Sequence, residues 1–202
     1  MDKNDVVALC GLIDQELVRR EQTRDVSVLA AGAAFESWLS FEARLLLERD
    51  RHLLHADSQG WWTANEYRKV DLGVWEDWNK LHMQVEFKLI HNNKNCFTKA
   101  DEAWADLFPE PASAKSDLRP GVRASIVVLV GKNYLYKQAY PGQKGDLVAW
   151  EKGIWSHLLP TDGPDAGRVN RVWSGTRIPV RDHSLLPDRS DHFVQLHALM
   201  PA

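Results

Sequence analysis

Leu81-His82-Met83-Gln84-Val85-Glu86-Phe87-Lys88-Leu89 is the stretch on which the fold turns. Its large apolar residues fall at every second position, so one face carries Leu81, Met83, Val85, Phe87 and Leu89. A period of two predicts a β-strand with that face on a core and His82, Gln84, Glu86 and Lys88 on the other side. Upstream, Val70, Leu72 and Val74 alternate in the same way, with Asp71 in the opposite phase. Glu76-Asp77-Trp78-Asn79-Lys80 joins the two runs, which predicts an antiparallel hairpin. In that pairing Asp71 shares a sheet face with Glu86 and Lys88, so two carboxylates and one ammonium converge.

Outward from the hairpin the period changes. Val6, Leu9, Cys10, Ile13 and Leu17 predict a helix over 5–20, and Phe35, Trp38, Leu39, Leu45 and Leu46 predict a longer one over 27–50. A loop around Asp57, Ser58 and Gly60 separates it from the hairpin. After the Asn-rich run 91–95, Phe97, Ala100, Trp104, Leu107 and Phe108 predict a helix over about 97–108, stopped by Pro109 and Pro111. Ile126-Val127-Val128-Leu129-Val130 reads as a strand covered on both faces, turned by Gly131-Lys132-Asn133 into Tyr134-Leu135-Tyr136. Beyond Pro141 only short segments are legible: a helix near 145–158 and strands near 168–180 and 192–199. This order predicts an α/β fold, a central mixed sheet flanked by helices. At 202 residues the expectation is a single domain over 1–202, with a core over 27–137 and an extension over 141–202.

Composition narrows the function classes. With 44% hydrophobic and 26% charged residues, usage is that of a globular chain. No apolar run approaches the roughly 20 residues of a membrane helix, and the N-terminus lacks an apolar export core, so no membrane partner and a cytoplasmic setting are expected. Lys and Arg number 25 against 28 Asp and Glu, a net charge of −3, so nucleic-acid binding would need a local basic surface. Cys10 and Cys96 do not form a disulfide framework, and Cys10 sits on a helical stripe as a core residue. The eight histidines, among them His52 and His55, have no closed zinc spacing. There is no Gly-x-Ser-x-Gly elbow and no phosphate loop. Nine tryptophans read first as core anchors, with base stacking as the alternative.

Carboxylates at Asp71 and Glu86 are hard oxygen donors suited to Mg²⁺ or Mn²⁺, and a neighbouring lysine orients water and stabilises charge. The pattern Val70-Asp71, fourteen intervening residues, then Glu86-Phe87-Lys88 resembles the PD-(D/E)xK, or restriction-endonuclease-like, nuclease superfamily. Glu86-Phe87-Lys88 is the chain's sole acidic-x-Lys triplet. The order of elements over 27–137 is similar too: an acid-bearing helix, the hairpin, a helix, then a hydrophobic strand. Val70 stands where the family places proline.

The resemblance implies a Mg²⁺-dependent deoxyribonuclease, most simply an endonuclease, whose metal sits between Asp71, Glu86 and the Phe87 carbonyl. Lys88 would align the attacking water, and cleavage would leave a 5′-phosphate. For the helix acid there are two candidates. Gly32-Ala33-Ala34-Phe35-Glu36 resembles the helix start of Mrr-like members and points to Glu36, the preferred assignment. The apolar stripe points instead to Glu42. Arg119, Arg123 and Lys132, and the series Arg168, Arg171, Arg177, Arg181 and Arg189, are candidate phosphate contacts. DNA is the expected partner, and a homodimer is one way to cut both strands. The rival readings are a non-catalytic binding module on the same fold and an interaction protein with a solvated hairpin face.

Overall fold

A computed structural model describes residues 1–22, 35–53, 60–67, 70–76, 80–109, 120–131, 147–179 and 193–202. Residues 27–34 of the helix expected over 27–50, the turn through 132–136, Arg119, Arg181 and Arg189 lie outside them, as do His55, Asp57 and Ser58. Among the described residues, four α-helices and seven strands follow in the order α1 (Lys3–Glu21), α2 (Phe35–Arg49), β1 (Trp62–Ala64), β2 (Leu72–Trp75), β3 (Leu81–His91), α3 (Cys96–Leu107), β4 (Val122–Gly131), α4 (Leu147–Leu158), β5 (Val169–Ser174), β6 (Ile178–Pro179) and β7 (Phe193–Pro201), with a short 3-10 turn at Arg51–Leu53. The architecture is mixed α/β: one seven-stranded sheet, ordered β1-β2-β3-β4-β7-β5 with β6 also on β7, flanked by helices.

Local chemistry sets the element ends. Asp2 caps α1, accepting hydrogen bonds from the backbone N–H groups of Asn4 and Asp5, while the Asp5 carboxylate accepts from the N–H of Asp2. The α3 helix ends at Phe108, one residue before Pro109. Within β2, a Cβ at Gly73 would meet the Trp75 indole nitrogen at 2.3 Å, so glycine lets that ring lie across its own strand.

The β1–β2–β3 meander is antiparallel, as predicted for its second half; β1 was not anticipated. The chain then crosses through α3 to β4, which runs parallel to β3 from Met83↔Val122 to His91↔Val130. Residues of the expected extension enter the same sheet: β7 pairs antiparallel with β4 on one side and β5 on the other.

Two apolar clusters cover the two faces. Odd-numbered β3 residues Met83, Val85, Phe87 and Leu89 pack with α1 and α2, whereas Ile90, Val127 and Leu129 pack with α3 and α4. The polar phase of β3 is therefore not a solvated surface. Gln84 and Glu86 are 0% and 1% exposed, because the crossover helix covers them. A second correction concerns α2: Phe35, Leu39, Ala43, Leu46 and Leu47 are buried, but Leu45 is exposed. Cys10 is a core residue as expected, and burial pushes its thiol pKa up.

Candidate active site at the open edge of β3

β2 stops pairing with β3 at Leu72↔Val85. Beyond that point the β3 edge offers the N–H groups of Phe87 and Leu89, which alternate onto the same side. Carboxylates take the place of a strand there. Asp71 Oδ2 accepts from Phe87 N at 2.8 Å, and Glu36 Oε1 accepts from Leu89 N at 2.6 Å.

Three elements fix Asp71. Its carbonyl accepts from Ser40 Oγ of α2 at 2.5 Å and from Asn65 Nδ2, just past β1, at 2.9 Å. Asn65 also donates to the Ser40 carbonyl at 2.9 Å, closing a small network under the turn into β2. Glu36 reaches the strand from the first turn of α2.

On the α3 side, Glu86 Oε1 accepts from Gln84 Nε2 at 2.8 Å, and Gln84 Oε1 accepts from Arg123 Nε at 3.2 Å. Register explains the row: Gln84 lies opposite Arg123, and Glu86 opposite Ser125, on the parallel β4. Burial lowers the Arg123 pKa despite the opposing charges of Glu86 and Asp106. A guanidinium nevertheless stays charged at neutral pH.

Lys88 Nζ lies 3.0 Å from Asp106 Oδ2, with side chains 16% and 13% exposed. Burial works against the ammonium. Asp106, through charge and hydrogen bond, and then Asp71 and Glu36 outweigh it, holding Lys88 above the usual lysine range. Thus Lys88, Asp71 and Glu36 are brought within electrostatic reach of one another. Glu86, one position from Phe87, meets Gln84 and the Arg123 charge on the buried face.

Glu42 goes elsewhere. Its Oε1 pairs with Arg20 of α1 at 3.0 Å, an α1–α2 tie away from β3. Asp106, Asn65 and Ser40 were not anticipated. Among the other histidines, His82 meets Glu76, His157 meets Asp101, and His52 is exposed. Trp75 and Trp150 are core anchors, while Arg168, Arg171 and Arg177 are exposed and lie over the rings of Phe108, Trp155 and Phe193.

Among the described residues no group of three or more His, Cys, Asp or Glu side chains stands ready as a metal cluster. A magnesium ion asks for less, often one or two carboxylates with waters completing the shell. Asp71 and Glu86 are oxygen donors of that chemical type, Asp71 at the strand edge and Glu86 on the buried face beside Gln84, each already spending one oxygen on a hydrogen bond. Phe87 turns its carbonyl to the same strand edge as its N–H, the edge that Asp71 closes.

No family model, no curated protein and no solved structure matches this chain. No helix of the described residues is long and apolar enough to cross a membrane.

Proposed function

We propose that the chain is a divalent-metal-dependent deoxyribonuclease on a restriction-endonuclease-like core. One observation carries the reading. The Asp71 carboxylate docks on the backbone of Phe87, the middle residue of Glu86-Phe87-Lys88, so the two halves of the motif meet at one strand edge. The element order supports it: a helix bearing Glu36, the meander, a helix, then the buried parallel strand β4.

Asp71, Glu86 and the Phe87 carbonyl would hold Mg²⁺ or Mn²⁺, which lowers the pKa of bound water and neutralises phosphoryl charge. Glu36 and Asp71 fix the β3 edge, and Lys88 orients the attacking water. The water oxygen bonds to phosphorus as the P–O3′ bond breaks, leaving a 5′-phosphate and a 3′-hydroxyl. Arg171, over the Trp155 ring, with Arg168 and Arg177, which also pair with Asp165 and Glu151, would supply the phosphate contacts on a chain of net charge −3.

Incubation with plasmid and linear DNA under Mg²⁺, Mn²⁺ or EDTA tests the reading. Cleavage should require the metal, and Asp71→Ala, Glu86→Ala and Lys88→Ala should each lose about a hundredfold or more in rate. Cleavage at the wild-type rate by a folded Glu86→Ala protein would overturn the site. Millimolar Mn²⁺ should also raise the melting temperature, and Asp71→Asn should remove most of that gain.

A second reading has its own observation. Asp71 and Glu36 both accept strand N–H bonds, so they also serve to close an edge. A non-catalytic DNA-binding module on the same fold would keep that closure and bind plasmid without cutting it under any metal.

A further inference from the structure

We propose that Asp106 is the positioning residue for Lys88, holding its ammonium in the orientation that the hydrolysis requires. This rests on the nuclease reading above. Lysine carries its charge on a flexible four-carbon stem with three rotatable donors, so its charge alone does not aim it. Here the ammonium lies 3.0 Å from the Asp106 carboxylate as an ion pair, and both side chains are largely withdrawn from water. Charges so placed attract more strongly than they would in water, which holds the ammonium on the Asp106 side of its reach. Asp71 and Glu36, themselves pinned to the β3 backbone, are the next charges acting on it.

The fold also holds Asp106 still. It lies in the last turn of α3, between the buried residues Ala103 and Leu107. Arg123 of β4 donates from Nη1 to the Leu107 carbonyl at 3.4 Å and feels the Asp106 charge as well. The crossover helix that joins β3 to β4 is thus tied at its far end beside the residue it steadies. Asp106 acts on the reaction through Lys88.

The test is a kinetic cycle in a plasmid-nicking assay, with folding followed by thermal melts. Asp106→Ala should lower kcat about 10- to 100-fold with KM within about twofold, the order expected for a misplaced reacting group. Asp106→Glu keeps the carboxylate and should recover more of that loss than Asp106→Asn, which keeps the shape without the charge. In a Lys88→Gln background, Asp106→Ala should cost little further in kcat, because the group through which it acts on the reaction has gone. Should Asp106→Ala alone fail to fold, the double variant, which strands no ammonium, still carries the comparison with Lys88→Gln. Losses that multiply instead of merging, or a change confined to KM, overturn the assignment while leaving the nuclease reading intact. A wild-type protein that cuts no DNA overturns both.

Discussion

The two faces of the sheet are built from the same strands under opposite rules. Toward α1 and α2, the central strands present Met83, Val85, Phe87, Ala124, Ile126, Val128, Leu196 and Ala198, without a polar group. Toward α3 and α4, equally buried positions hold Gln84, Glu86, Ser125 and His197 among the apolar residues. Burying polar groups costs free energy unless hydrogen bonds offset it. The first face is what stability alone would select. The second keeps groups that stability does not need, and that contrast makes it the chemical face.

The sharpest way to break the comparison is to exchange neighbours across it. Phe87→Ala, on the apolar face, should cost about 3–5 kcal/mol in urea unfolding. Glu86→Gln, one residue away, should stay within about 1 kcal/mol, since its amide oxygen still accepts from Gln84. Equal losses at the two sites would erase the distinction.

His197 gives the next largest effect. Its pKa is pushed down to about 3 by burial first and then by Arg171 and Arg177. An unfolded histidine titrates near 6.5. Between those values the unfolded chain binds a proton that the native one refuses, so stability falls as pH falls, by up to about 1.4 kcal/mol per unit. From pH 6.5 to 4.5 the loss attributable to His197 should approach 2–3 kcal/mol, and His197→Gln should remove it. Parallel unfolding curves for both proteins at the two pH values would refute this.

Smaller still is Ser125→Ala. The buried Ser125 hydroxyl has no hydrogen-bond partner among the described residues. Its removal should leave stability unchanged or raise it by up to about 1 kcal/mol; a loss above that would show the hydroxyl to be bonded in solution. At the bottom of the scale, Leu45→Lys lies outside both faces and should shift stability by less than about 0.5 kcal/mol. A larger drop in the unfolding midpoint would return Leu45 to the core.

The alternation of β3 was legible because a period of two survives without any partner. The cover on its polar side was not, since an alternating strand looks the same under water or under a helix; only the crossover through α3 decides it. On α2, about 100° per residue puts Leu45 some 80° from Phe35, off the stripe that Leu39 and Leu46 share. The same geometry turns Glu42 inward, as its sequence position suggested, but Arg20 from another helix receives it. Asp106 was illegible because an aspartate beside a buried leucine reads as a helix's wet side. Ser40 and Asn65 contact the Asp71 carbonyl across 31 and 6 positions, which no local pattern announces.

The place of β7 bears on how the chain reaches this state. It follows every other strand in sequence, yet it sits inside the sheet between β4 and β5. Its first ladder partner, Gly131, precedes Phe193 by 62 positions. At about 5–20 residues per second of synthesis, β4 therefore emerges roughly 3–12 s before the strand that covers its edge. For that interval Ile126–Val130 is an apolar ribbon with one edge unpaired, of the kind that recruits other chains. Nascent copies on one message are the nearest such chains, so yield should depend on translation speed and on chaperones that shield a strand edge. Truncation within 193–201 should send the product to inclusion bodies rather than to a smaller folded form.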